Sequence, residues 1–259
     1  MTDRLTVLGC SGGISRGLRT TSFLWNEDVQ IDAGTGVGDL DLDALRRIDH
    51  ILLTHSHLDH IVSIPFLADA VGALREAPIE VHGLPETLEA IRRHLFAEPI
   101  WPDFTVIPSP ERPFLRFRPV VVGAYRDLPD GRSARWLPVN HTLPAAAVHL
   151  LAGSGSGSLL FSGDTTTCPD LWTAASQITD LRHVIVETSF PDEELALAQL
   201  SKHYTPGLLA ADLARFDRPD VEVHISHLKP GSAASLMAAV EASVPRPVQA
   251  LETGRVLFF

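Results

Sequence analysis

The chain has 259 residues, 45% of them hydrophobic and 20% charged, a balance that supports a folded core and excludes a disordered or fibrous protein. A formal net charge of -11 argues against general adhesion to nucleic acid or anionic membranes, though not against an anionic substrate, since bound metal ions reverse the local field. Two cysteines, Cys10 and Cys168, allow one disulfide at most, and the chain shows no CxxC zinc motif, no apolar leader and no run of the ~18 apolar residues a membrane span needs, so the expected compartment is the cytoplasm.

The first half reads as short strands. Residues 5–8 are β-rich and stop at Gly9, and 21–25 and 29–31 flank an Asn-Glu-Asp turn. A Gly-rich loop (32–39) leads to a short helix at 40–46, and 50–54 is a buried strand. Helical spacing of apolar residues marks 61–77 and 86–96 as helices, with a strand at 79–82 between them. The segment 98–113 is Pro-rich, yet Trp101, Phe104 and Ile107 make it too apolar for a solvated linker. Strands return at 114–122, 133–139, 145–151 and 158–161, and "AGSGSGS" (152–158) is a hairpin loop. A helix at 169–178, a strand at 183–187 and helical stretches at 193–201 and 206–216 follow, the last with Thr205 as N-cap and Pro206 at its first position. The chain closes with a strand at 221–226, a helix at 232–242 and two final strands. There is no repeat and no clear break, so residues 1–259 are expected to form one α/β domain of packed sheets covered by helices.

The chemistry concentrates at "LLTHSHLDH". His55, His57, Asp59 and His60 directly follow a buried strand, and imidazole with carboxylate suits Zn2+ or a similar divalent ion. A lone histidine among the chain's twelve would say little, but three within six residues point to metal. His55 and His57 are two apart while Asp59 and His60 are adjacent, which lets the two pairs face different ions. A two-metal site needs further ligands, and the candidates at strand ends are His141, Asp164, and His224 or His227, between which spacing does not decide.

In order, "THSHLDH" (54–60), "NH" (140–141), "SGDT" (162–165) and "SHLKP" (226–230) resemble the metallo-β-lactamase superfamily. The resemblance implies a four-layer αββα sandwich with the metal centre at one edge of two sheets. It implies one ion on His55, His57 and His141, another on Asp59, His60 and His227, and Asp164 between them. His224 is then a strand residue.

More narrowly, "VNHTLPAAAVHL", "IWPDFTVIP", "VETSFPD", "KHYTP" and "SHLKP" are similar to blocks of class II cyclic-nucleotide phosphodiesterases. Ala147 and Val148 stand where that family's "HTVPAVGY" has Gly-Tyr, so a pocket-lining aromatic is expected to be missing there. "ETSF" and "HYT" also match, in order, two blocks of the related tRNA-processing nucleases. This implies His203 as proton donor, oriented by Glu187. Asp59 is expected to orient the attacking water as well as to bind metal.

The resemblance therefore implies hydrolysis of 3′,5′-cyclic nucleotides to 5′-nucleotides with two divalent ions, Zn2+ first and Mn2+ or Fe2+ as alternatives. The partner is a small cyclic nucleotide, without stable nucleic-acid or membrane binding, and a homodimer is left open. The rivals are a tRNA 3′-processing nuclease, a lactone or thioester hydrolase, and a non-catalytic nucleotide-binding relative. Against the nuclease stands the short interval from His141 to Asp164, which a single hairpin fills and which leaves no room for a tRNA-gripping arm.

Overall fold

A computed structural model describes residues 2–155 and 157–259. Strands β1 (Arg4–Gly9), β2 (Ser22–Trp25), β3 (Val29–Ala33), β4 (His50–Leu52), β5 (Ile79–Gly83) and β6 (Leu115–Pro119) build the first sheet with helices α1 (Leu42–Arg47), α2 (Leu58–Ile61), α3 (Ile64–Val71) and α4 (Pro85–Ala90). Strands β7 (Tyr125–Asp127), β8 (Ser133–Pro138), β9 (Ala146–Leu151), β10 (Ser158–Phe161), β11 (Leu181–Glu187), β12 (Glu222–Ser226) and β13 (Gln249–Ala250) build the second, with α5 (Pro169–Ser176), α6 (Leu195–Ser201), α7 (Pro206–Leu213) and α8 (Ala233–Ser243). The last strand, β14 (Val256–Phe258), crosses back to pair antiparallel with β1, so the two closing strands lie in different sheets. The sheet orders are β14-β1-β2-β3-β4-β5-β6 and β13-β12-β11-β10-β9-β8-β7.

Alternation along the strands assigns the layers. Leu52 faces a core between the sheets with Phe23, Trp25, Trp136, Phe161 and Ile185, while its neighbours Ile51 and Leu53 face α3. Ile185 likewise points inward, and Val184 and Val186 meet α5, α7 and α8. The result is an αββα sandwich. Trp136 joins the two sheets by donating its indole N–H to the Leu53 carbonyl at 3.0 Å. Arg132, 3% exposed, does the same through a two-pronged pair to Asp28 at 2.9 and 2.6 Å.

Several elements depart from their sequence pattern for local reasons. The expected helix at 61–77 is broken, because the Ser63 N–H bonds to the Ala33 carbonyl and its hydroxyl to the Gly34 carbonyl at 2.7 Å. The helix then turns out of register at Gly72, whose α-carbon is packed against the Phe114 ring. The expected helix at 86–96 becomes a π-helical turn after Ala90, with Phe96 N–H bonding to the Ile91 carbonyl. The helix expected from 193 starts at Leu195 after a 3-10 turn. The β7 edge strand is short and exposed, and its pattern gave no signal. Strands β9 and β10 pair antiparallel across the "AGSGSGS" loop, of which Ser156 lies outside the described residues. Cys10 and Cys168 are both free, so the disulfide allowed by the count does not form: the Cys10 thiol bonds to the Leu251 carbonyl and Cys168 packs beneath α5.

Candidate metal centre

Strands β3, β4 and β5 run parallel, as do β10, β11 and β12, and β8 has the direction of β10 because each is antiparallel to β9. Their C-terminal ends converge on one edge of the sandwich. His55 and His57 leave that edge after β4, and Asp59 and His60 sit in the first turn of α2. His141 follows β8, Asp164 follows β10, Glu187 ends β11 and His227 follows β12. His203 arrives from the loop between α6 and α7.

Two groups of side chains whose ligand atoms could hold a metal ion form there. The atoms of His55, His57, His141 and Asp164 all lie within 4.8 Å of one another, as do those of Asp59, His60, Asp164 and His227. Asp164 belongs to both. Its Oδ2 is 3.6 Å from His55 Nε2 and 3.5 Å from His227 Nε2, and its Oδ1 is 3.3 Å from His60 Nε2. Asp59 Oδ2 lies 3.2 Å from His227 Nε2, and His57 Nδ1 lies 3.1 Å from His141 Nε2.

The histidines are held from behind. His55 Nδ1 meets Thr54 Oγ1 at 3.0 Å, and His60 Nδ1 donates to Asp32 Oδ2 at 2.7 Å. His141 Nδ1 donates to the Lys202 carbonyl at 3.1 Å, and His227 Nδ1 meets Ser189 Oγ at 2.9 Å. The Thr54 hydroxyl donates to Asp32 and the Ser189 hydroxyl donates to Glu187, so both oxygens accept from the ring N–H. In these four rings Nδ1 thus carries the proton and Nε2 turns its lone pair inward, whereas His57 faces the centre with Nδ1. His55 Nε2 and His60 Nε2 are fully buried and no hydrogen bond satisfies them. Buried acceptors left bare in this way are costly, and a divalent cation in each group, one of three histidines and a carboxylate and the other of two histidines and two carboxylates, would satisfy them. The residues fit a metal pair.

Charge tells the same story. Burial holds His55 well below the usual imidazole range, with His60 adding to it, and burial pushes His141 down to about 4. At His60, burial is outweighed by Asp164 and Asp32, which raise it well above its ordinary value. At Asp164, burial is outweighed by His227 and His60, which hold the carboxyl well below its ordinary range. Without metal the charge of Asp164 is balanced at His60 and His227 while His55 and His141 stay neutral, and a cation would replace that balance.

Beside this centre, Glu187 is fully buried and its carboxylate accepts from Thr165 N–H at 3.2 Å, Ser189 Oγ at 2.9 Å and His203 Nδ1 at 2.7 Å. The His203 ring stacks on His227 with centroids 5.3 Å apart. Ser189 touches Glu187, His203 and His227, tying the pair to the centre.

Four contributors went unread in the sequence: Asp32, Thr54, Ser189 and Lys202. A buried aspartate near the end of a β-rich strand, before "AGTG", is the signal that could have found Asp32. Asp32 (φ 46°), Lys202 (φ 53°) and His227 (φ 60°) all adopt left-handed backbone, so strain collects at this edge. One expectation changes, and the other residues lie as follows. Ala147 and Val148 lie inside β9 with their side chains in the two cores, so neither position lines the site. His224 lies within β12, away from the centre. Phe104 is buried among Phe96 and Phe114, and Trp101 packs edge-on to Phe66, so both rings anchor their loop. The Lys229 ammonium sits 4.6 Å above the Phe190 ring.

The family model for the β-lactamase superfamily domain matches residues 28–248. The chain belongs to this superfamily. A Yersinia pestis protein named "Probable 3′,5′-cyclic-nucleotide phosphodiesterase" is 25% identical over 278 residues, covering 87% of this chain and 78% of that one. A ribonuclease Z of Bradyrhizobium diazoefficiens is 36% identical over 99 residues, but the match spans 35% of this chain and 33% of that enzyme. The crystal structure of unliganded yeast PDE1 superposes with a TM-score of 0.82 at 15% identity, covering 100% of this chain and 99% of that one, which speaks to the fold. With this membership the chain is a metal-dependent hydrolase of the metallo-β-lactamase fold. Among the described residues no helix is long and apolar enough to cross a membrane.

Proposed function

We propose that residues 1–259 act as one domain that hydrolyses 3′,5′-cyclic nucleotides to 5′-nucleotides. The observation that carries this reading is the Glu187–His203 pair at 2.7 Å, beside two groups of ligands that share Asp164. Phosphodiesters and carboxyl esters both expel an alkoxide that needs a proton, which this pair is placed to supply, and the phosphodiesterase relative favours phosphorus as the centre attacked.

One ion would be held by His55, His57, His141 and Asp164, the other by Asp59, His60, Asp164 and His227. When bound, such ions lower the pKa of water and neutralise charge on the phosphate oxygens; Zn2+ suits these donors best, with Mn2+ or Fe2+ as alternatives. Asp59, the most exposed of the carboxylates here, accepts a hydrogen bond from the attacking water and aims it at phosphorus. His203 as imidazolium donates from Nε2 to the departing 3′ oxygen. Glu187 fixes that ring through Nδ1. After bond cleavage the 3′ hydroxyl carries the proton and the 5′ phosphate remains.

A nuclease acting on tRNA 3′ ends is the second reading, supported by the ribonuclease Z relatives. The acidic balance of the chain and the longer match to the phosphodiesterase favour the cyclic substrate. The test is one panel on metal-loaded protein: cAMP, cGMP, bis(p-nitrophenyl) phosphate, a lactone and a pre-tRNA. Turnover of a cyclic nucleotide to its 5′-monophosphate is expected. Cleavage of the pre-tRNA without the cyclic nucleotides would transfer the reading to the nuclease, and turnover of the lactone alone would refute both.

A further inference from the structure

Away from the metal centre, the described residues hold two more triads of metal-ligand type: His50–Glu80–His82 and His183–Glu222–His224. They are built alike. "IEVHG" forms β5 and "VEVHI" enters β12, and in each case a histidine on the neighbouring parallel strand stands opposite the glutamate. His50 is in register with Glu80, and His183 with Glu222. Glutamate and histidine two apart share a strand face, here the face toward the other sheet. The second triad sits near the start of β11 and β12. From His183 to Glu187 is four residues of β11, or about 13 Å, so this triad is separate from the metal centre at the other end.

The geometry of the second triad is that of a ligand set. His183 Nδ1 and His224 Nε2 are 3.2 Å apart, and Glu222 Oε2 lies 3.5 Å from the first and 3.6 Å from the second. Ligands at ~2.0–2.1 Å from a tetrahedral ion are separated by about 3.3–3.4 Å. His183 Nε2 donates to the Phe258 carbonyl at 3.0 Å, which leaves Nδ1 as a lone pair directed at the other two donors. His224 is wholly buried, and its Nδ1 has no hydrogen-bond partner. Burial, then His183 and Arg255, push it down to about 4, so the ring is neutral and able to ligate. Glu222 is half exposed, which gives an ion a path from solvent.

We propose that His183 Nδ1, His224 Nε2 and Glu222 Oε2 form an additional divalent transition-metal site, of the Zn2+ class, at the far end of the sheets from the metal centre. Its effect is structural. The ion joins β11 to β12 and, through the His183 bond to Phe258, both to β14 of the opposite sheet. The first triad is a natural comparison. There Glu80 is engaged by Arg118, with Oε1 at 3.0 Å from Nε and 2.5 Å from a terminal nitrogen, so its carboxylate is already neutralised by a fixed cation. The proposal is independent of the substrate.

The test counts zinc. The full chain, stripped of metal, is dialysed to equilibrium against buffered free Zn2+ and bound zinc is measured by mass spectrometry, for the unsubstituted protein and for Glu222→Gln, His183→Gln and Glu80→Gln. The unsubstituted protein is expected to hold one more Zn2+ than Glu222→Gln or His183→Gln at free concentrations where that site fills, the loss in affinity being at least ~10-fold. Glu80→Gln is expected to match the unsubstituted protein, and Glu222→Gln to keep full phosphodiester turnover. Glu222 is at the surface, so its variant folds even where His183→Gln does not. Equal zinc in the unsubstituted protein and Glu222→Gln across the titration would overturn the site and leave a simple His183–His224 hydrogen bond. Loss of zinc in Glu80→Gln instead would overturn the choice between the two triads.

Discussion

Asp32→Asn removes one charge and changes no shape, and its consequence follows from the hydrogen-bond pattern. The Asp32 carboxylate accepts from Thr54 N–H at 2.8 Å, Thr54 Oγ1 at 2.7 Å and His60 Nδ1 at 2.7 Å. An asparagine keeps its oxygen for Thr54 N–H, and its amide nitrogen then faces Thr54 Oγ1 and His60 Nδ1. For His60 to accept a proton at Nδ1, its own proton must move to Nε2, the atom that faces Asp164 at 3.3 Å. The lone pair proposed to bind metal is thereby lost. The flipped amide is worse, since it buries two donors against each other at Thr54. Loss of such an outer partner weakens metal binding by about 10–100-fold, or about 1.4–2.7 kcal/mol. Competition between the protein and a chromophoric chelator for Zn2+ measures the change, with circular dichroism melts confirming the fold. If folded Asp32→Asn holds zinc within about threefold of the unsubstituted protein, well short of the expected range, Asp32 does not orient His60 and the account of the site from behind is wrong.

His203→Ala is expected to lower kcat on cyclic nucleotides by about 10²–10⁴ while leaving metal content unchanged. Glu187→Gln should cost less, because the ring remains, and equal zinc with full activity in His203→Ala would remove the proton-donor role. Gly12→Ala places a Cβ at 2.5 Å from the His227 carbonyl oxygen and 2.7 Å from its Nδ1, so the ring must move. Metal titration should show weaker binding at the Asp59–His60–His227 group; an unchanged isotherm would mean the loop yields instead. His149 is buried in β9 with neither ring nitrogen paired, and burial pushes it down to about 4 from 6.5. The folded value is the lower one, so the unfolded chain protonates first, and stability present above about pH 6.5 is lost as pH falls through 4, reaching roughly 3 kcal/mol. Urea denaturation should show His149→Leu losing less stability than the unsubstituted protein between pH 8 and pH 5, by about 2 kcal/mol, and parallel pH curves would contradict this.

Much of the candidate site was legible because its residues are dense and of one chemistry. "THSHLDH" carries four potential ligands directly after a buried strand, and Asp164 and His227 each follow an apolar or β-rich stretch. Strand ends can be read from a period of two, and ligand chemistry from residue type. Spacing alone could not choose between His224 and His227. The choice lies in where β12 stops: His224 is inside the strand, facing His183, while His227 lies one residue beyond it, in a left-handed turn that brings Nε2 to Asp59.

What the sequence determined by itself was the α/β layering and the ligand types, since both rest on local pattern. What only tertiary structure decided was partnership. Asp32 is 28 positions from His60, and Ser189 is 38 from His227, so the contacts that fix each ring leave no periodic trace. The same holds for the break at Ser63, where a carbonyl from β3 captures an N–H that the helical pattern assigned to its own helix. It holds again for the His183–Glu222–His224 triad, since only strand register places two ordinary-looking histidines 3.2 Å apart. Local sequence sets what a side chain can do, and the packing of distant strands sets which atom it does it to.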